Sequence, residues 1–261
     1  MYAWLHGLLA DRKGGEIFRL FSGWHFFYMA LAAVLILSVC LMMRGQREER
    51  KRKACTVLID LAFTLYMLDF FLMPFAYEAI DIEKLPFHVC TAMCVMCFVS
   101  RHHGKLYRYH GEFALLGFIS NLVYLIYPAG VMWHAVHPLS YRVIQTLLFH
   151  CIMTVYGFLT IVLEKDAVSL KTWYRVLVIS LLMTLWAMFG NLLYCGSAGT
   201  YSHDFNWFFT ERDPFGMLPE QAAGYIMPAL NIVLFTGTAV LILLILYLFR
   251  KNPSHAMSHT E

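Results

Sequence analysis

The chain alternates long apolar runs with short polar breaks, most of them basic. Seven runs stand out, at about 23–43, 54–77, 85–100, 111–128, 140–163, 173–195 and 222–249. Each approaches or exceeds the roughly 17–25 residues needed to cross a hydrocarbon core. The third is the shortest and carries His88 near its start. None alternates with period two as barrel strands do, so the backbone must satisfy its polar groups within helices. The pattern predicts an all-α membrane protein, a bundle of about seven transmembrane helices. Residues 1–22 form an outer interfacial segment, in which Trp4, Leu5, Leu8, Leu9, Ile17, Phe18 and Leu20 sit among charges. Residues 23–249 form the membrane domain and 250–261 a cytoplasmic tail. The first run is too long for a cleavable signal and lacks a small-x-small site before its basic flank. The 196–221 connector, with Tyr201, Phe205, Trp207, Phe208, Phe209, Pro214, Gly216 and Pro219, reads as an aromatic cap on the outer mouth. No internal repeat is visible, and an odd span count argues against a simple inverted-repeat transporter.

Composition agrees with the pattern. Of 261 residues, 60% are apolar and 14% charged, against about 45–50% and about 25% in a soluble domain. That excludes a soluble enzyme, a disordered chain and a disulfide miniprotein. A net charge of +3, with its basic residues in short separated clusters, excludes a nucleic-acid partner. Those clusters set the topology. Arg44, Arg47, Arg50, Lys51, Arg52, Lys53, Arg101, Lys105, Arg108, Lys165, Lys171, Arg175, Arg250 and Lys251 fall on one side, fourteen of the twenty Lys and Arg. Only Arg12, Lys13, Arg19, Lys84, Arg142 and Arg212 fall on the other. The positive-inside rule puts the amino terminus outside and the carboxyl terminus in the cytoplasm.

This orientation gives each intramembrane polar residue a depth. His88 and Cys90 lie within about two turns of the outer end of span three, and His150 about 15 Å below that of span five. Asp69, Asn121, Asn191 and Asn231 also fall in the outward half of their spans, while Asp60 lies on the inner side. Single membrane asparagines often serve only as interhelical glue, worth about 0.6 kcal/mol. Six spans contributing at one level point instead to a shared outward-opening polar cavity. A carboxylate at Asp69 needs a partner there, such as His150 or His88.

All seven cysteines (Cys40, Cys55, Cys90, Cys94, Cys97, Cys151, Cys195) fall within or at the edge of spans, which does not read as a disulfide framework. Cys90, Cys94 and Cys97 reproduce the C-x3-C-x2-C spacing of iron–sulfur radical enzymes, but on a membrane helix they read as a small-residue packing face. Zinc on His88, Cys90 and His150 has no support from spacing, so neither a metal nor another cofactor is expected. His150 lies mid-span beside Cys151 and Thr146. A buried thiol is inert unless a base or cation favours the thiolate, which makes His150 the candidate base for Cys90. Pro86 starts the helix, so the thiol lies in its first turns, where the dipole favours an anion.

Leu85-Pro86-Phe87-His88-Val89-Cys90 resembles the Leu-Pro-x-His-x-Cys signature of the bacterial YwaF-type integral membrane proteins. Phe21-Ser22-Gly23-Trp24-His25-Phe26 is similar to that family's amino-terminal Phe-Ser/Gly-x-x-His element, and His150 and Asn191 occupy further polar positions. The resemblance runs from about residue 18 to 240. Two motifs depart from it: Tyr127-Pro128 stands for a Thr-Pro turn, and Gly199-Thr200-Tyr201-Ser202 for Gly-Thr-Asn-Tyr. The resemblance implies kinship with an animal seven-span acyltransferase family acting on ether phospholipids through a membrane Cys and a later His. Cys90 and His150 match that pair in order and separation.

Two functions follow as expectations. One is acyl transfer from a phospholipid through a Cys90 thioester, with His150 as base, Asn121 or Asn191 donating to the oxyanion and Asp69 orienting a histidine. The other is binding or transport, the same pocket holding a small polar solute or a lipid headgroup, with His88 and Asn231 as further lining. Membrane lipids are the expected partners, and a bacterial cell membrane the expected location.

Overall fold

The computed structural model describes residues 2–9, 15–77, 84–132, 135–164, 166–194 and 206–251. Cys195, Gly199-Thr200-Tyr201-Ser202 and Phe205 lie outside the described residues. Among those described there is no strand. The helices are α1 (Tyr2–Leu9), α2 (Gly23–Met43), α3 (Glu48–Tyr77), α4 (Val89–His102), α5 (His110–Ile126), α6 (Ala129–Met132), α7 (Tyr141–Leu163), α8 (Trp173–Tyr194) and α9 (Glu220–Lys251). Among the described residues six segments are long and apolar enough to cross a membrane, and α4 is a shorter apolar helix of 14 residues. The span expected at 85–100 begins later because His88 is an extended N-cap, so Pro86 precedes the helix rather than opening it.

The chain divides into two compact units, Met1–Glu164 and Lys165–Glu261. In the first, α7 is the hub. It packs against α2, α3 and α5, and α4 packs against α3 and α5. The apolar stretch of α7 is 72% buried and that of α2 only 11%, so most of α2 stands uncovered by the rest of the protein. Helices associate in lipid by close packing rather than by hydrophobic drive, and α5 meets α7 through Gly157. A Cβ there would lie 2.7 Å from the Ala114 carbonyl oxygen and 2.7 Å from Phe118 Cβ. Only glycine admits this approach.

Two polar fixtures tie the first unit together. At the start of α2, Ser22 Oγ accepts from the His25 N–H (3.4 Å), and the Phe21 N–H donates to His25 Nδ1 (2.9 Å). Nδ1 is therefore an acceptor, and Nε2 donates to the Leu125 carbonyl at the end of α5 (2.7 Å). At the opposite end of α5, Arg101 Nη1 donates to both oxygens of Glu164 (2.7 and 3.0 Å) and Nη2 to Thr160 (3.2 Å). His110 and Tyr107 also bond Glu164, at 3.1 and 3.5 Å. Burial pushes the Glu164 carboxyl up, but the His110 hydrogen bond and the Arg101 charge outweigh it and hold the group below the ordinary carboxylate range. On the same side, Asp60 pairs with His102 at 2.6 Å.

In the second unit α8 and α9 pack together with the 206–218 segment. Asn206 Oδ1 accepts from the Glu211 and Arg212 N–H groups (3.0 and 3.1 Å), and Asp213 accepts from those of Phe215, Met217 and Leu218. The Phe215 N–H, aided by those of Leu218 and Met217, holds the Asp213 carboxyl below its usual range. Phe208 and Phe209 sit at φ of 55° and 51°, the left-handed region that side chains disfavour.

Candidate functional site

By their hydrogen bonds and ion pairs the polar residues singled out by depth fall into three sets, and Lys84 and His88 of the second lie close enough to act electrostatically on His150 of the first. The first gathers on α5. Cys90, the second residue of α4, directs its thiol to the Ser120 carbonyl at 3.9 Å. His150 Nδ1 lies 2.6 Å from Asn121 Oδ1. Cys90 and His150 are thus held by consecutive residues of one helix, and all four residues are buried. Among the described residues no hydrogen bond joins the thiol to the imidazole directly.

The asparagine fixes the chemistry of the imidazole. Asn121 Nδ2 lies 2.7 Å from the Gly117 carbonyl, which can only accept, and 3.4 Å from Ser120 Oγ. Nδ2 is therefore the donor end and Oδ1 an acceptor. An acceptor at 2.6 Å requires the proton of His150 on Nδ1, which leaves the lone pair on Nε2. The ring is stacked on Tyr124 at 3.7 Å between centroids and meets Phe149 edge-on at 5.1 Å. Thr154 donates to the His150 carbonyl (2.8 Å). A pinned imidazole with a defined tautomer can take a proton at one known nitrogen.

The second group is the ion pair of Lys84 and Asp69, with Nζ to Oδ2 at 2.8 Å. The partner of Asp69 is this lysine rather than the histidines the sequence offered. The Tyr66 hydroxyl donates to the Lys84 carbonyl (2.9 Å), so Lys84 is tied twice to one face of α3. His88 is the half-buried N-cap of α4, and its carbonyl accepts from the Thr91 hydroxyl (3.0 Å).

The third group belongs to the second unit. Asn191 Oδ1 accepts from the Trp207 N–H (3.1 Å), while Nδ2 donates to Thr210 (2.7 Å) and the Trp207 carbonyl (3.3 Å). Asn231 donates to the Phe208 carbonyl (2.6 Å). Both amides clamp the aromatic segment.

Cys94 and Cys97 are fully buried. Cys97 faces Gly117, where an added Cβ would stand 3.7 Å from its sulfur. Among the described residues, no three His, Cys, Asp or Glu side chains are gathered as a metal site would require. No pattern in the chain singled out Ser120 as the residue facing the thiol or Tyr124 as the stacking partner. Their helical spacing from Asn121 becomes informative only once His150 is placed opposite.

Among the described residues, six helices long and apolar enough to cross a membrane and a shorter apolar one have the make-up of a polytopic membrane protein. The chain belongs to the TMEM164 family, whose model matches residues 20–249. No curated protein and no solved structure matches it.

Proposed function

We propose that this protein is a lipid acyltransferase working through Cys90 and His150, related to the YwaF-type proteins and to the ether-phospholipid acyltransferases of animals. The single observation that carries the reading is that adjacent residues of α5, Ser120 and Asn121, hold the thiol and the imidazole. In the first step His150 Nε2 takes the Cys90 proton, and sulfur attacks an ester carbonyl of a phospholipid. The carbon–oxygen bond breaks, and the leaving alkoxide takes the proton back from His150, leaving a thioester. In the second step an acceptor hydroxyl gives its proton to His150 and attacks the thioester, and the proton returns to sulfur. No cofactor is consumed.

The oxyanion donors in this scheme are backbone groups. The side-chain N–H groups of Asn121 and Asn191 are committed to Gly117, Ser120, Thr210 and Trp207. The N–H groups of Val89, Cys90 and Thr91 lie in the first turn of α4, the turn that carries the thiol, and have no intrahelical acceptor. By charge asymmetry the site opens outward, with the carboxyl terminus in the cytoplasm of a bacterial cell membrane.

Purified protein given a labelled phospholipid should form a hydroxylamine-sensitive adduct. Cys90→Ser should abolish it or convert it to a stable ester, and Cys94→Ser should leave it intact. His150→Ala should slow its formation by about 10²–10⁴-fold. Labelling that survives Cys90→Ala, or no transfer with any lipid, would favour binding or transport of a polar solute or headgroup. A reporter fused after Lys251 that reads external would overturn the orientation.

A further inference from the structure

We infer that Asn121 is the positioning residue for His150, setting its tautomer and ring direction so that Nε2 is the basic nitrogen. The inference rests on the acyl-transfer reading and adds a third member to its pair. The geometry is directional. Asn121 is fully buried, and its amide is oriented by its own helix through Nδ2 to the Gly117 carbonyl at 2.7 Å. The carbonyl end is thereby turned to His150 Nδ1 at 2.6 Å. An amide held only at one end could rotate and present N–H to the ring, which would demand the opposite tautomer and place the proton on Nε2. The Gly117 bond excludes that state.

The ring has no other described hydrogen-bond partner, since Tyr124 and Phe149 hold it by stacking and edge contact. Stacking leaves rotation about the ring normal to be fixed by a hydrogen bond. Base, orienting acceptor and nucleophile are the elements by which a Cys–His site is recognised irrespective of fold. Here the orienting acceptor sits on the same turn of α5 that faces the thiol.

The test uses full-length protein in detergent or nanodiscs and a small alkylating reagent, with modification at Cys90 quantified by mass spectrometry between about pH 5 and 9. Adduct formation from labelled phospholipid is measured alongside. Asn121→Leu, which keeps the volume and removes the acceptor, should slow both reactions by about 10–10²-fold. Asn121→Asp keeps the acceptor and should stay within tenfold of wild type. Its acidic limb should move to higher pH, because a carboxylate beside the ring favours imidazolium. If position 121 did not face the ring, that limb would stay where it is.

Wild-type rates in Asn121→Leu beside a slow His150→Ala would overturn the inference and leave the catalytic pair standing. An unmoved pH profile in Asn121→Asp would overturn it as well, and this variant decides alone if Asn121→Leu does not purify folded. Alkylation and adduct formation indifferent to His150→Ala would overturn the pair and the inference together.

Discussion

Replacing Gly157 by alanine tests whether the approach of α7 to α5 is what holds the site. The added Cβ would stand 2.7 Å from the Ala114 oxygen and 2.7 Å from Phe118 Cβ, where ordinary contact begins at 3.4 Å. Relief needs a local separation of roughly 0.7 Å, the difference between those figures. The obstacle includes backbone, so no side-chain rotation provides it. Overpacking of this kind costs about 1–3 kcal/mol, partly offset by the roughly 1 kcal/mol that alanine gains over glycine in a helix. Gly117→Ala is the matched control, because its Cβ would meet Met153, Met93 and Cys97 at 3.5–3.7 Å. Both variants share the propensity gain, so their difference isolates the clash. Thermal unfolding in one detergent should place Gly157→Ala at least about 2 °C below Gly117→Ala. His150 lies seven residues, about 10 Å, along α7 from Gly157, and a displacement near 1 Å can reduce a reaction by about 10²-fold. Alkylation of Cys90 should therefore lose its dependence on His150 in Gly157→Ala and keep it in Gly117→Ala. Equal melting of the two variants, or a more stable Gly157→Ala, would refute the reasoning.

The Arg101–Glu164 pair makes stability depend on pH in one direction. A carboxyl held below its ordinary range stabilises the fold fully above that range and loses the contribution as pH falls through its folded value. Arg101→Met should destabilise by about 3 kcal/mol, the low end for a broken buried pair, since His110 and Tyr107 still bond Glu164. Arg101→Met/Glu164→Gln should recover most of that in the same thermal assay, and no recovery would contradict the pairing as the cause. Asn191→Leu strips the Trp207 N–H of its acceptor, a loss of about 1–3 kcal/mol. Faster hydrogen exchange or proteolysis confined to residues 206–218 should reveal it, and unchanged protection would argue against the clamp.

The spans were legible because apolar run length is a local property, and the weak third run is indeed the short helix α4. Cys90, Asn121 and His150 were each legible as polar residues at one depth. Their connection was not, because which end of an amide faces which nitrogen depends on Gly117, a residue with no side chain to notice. Pairings across long separations were equally hidden. Arg101 read as one more basic loop residue, yet its partner Glu164 lies 63 positions away. Lys84 counted toward topology, while its bond to Asp69 is a product of how its segment lies on α3. Asn191 and Asn231 read from the sequence like the other span asparagines, but folding engaged them with the 206–210 segment.

His25 and His150 both reach α5 from other helices, and they are held differently. His25 offers one ring nitrogen to the Phe21 amide and the other to the Leu125 carbonyl, both main-chain groups that no substitution removes. Its ring has neither a lone pair nor a proton to spare, so it works as a spacer of fixed length between two backbones. One helical turn earlier on α5, Asn121 engages only one nitrogen of His150. Two residues of identical chemistry, four positions apart in where they land, thus differ in valence: both ring nitrogens of one are engaged, and Asn121 engages one nitrogen of the other. A search for reactive histidines in this chain is a search for the unfilled nitrogen, and chemical probes of imidazole should mark His150 and pass over His25.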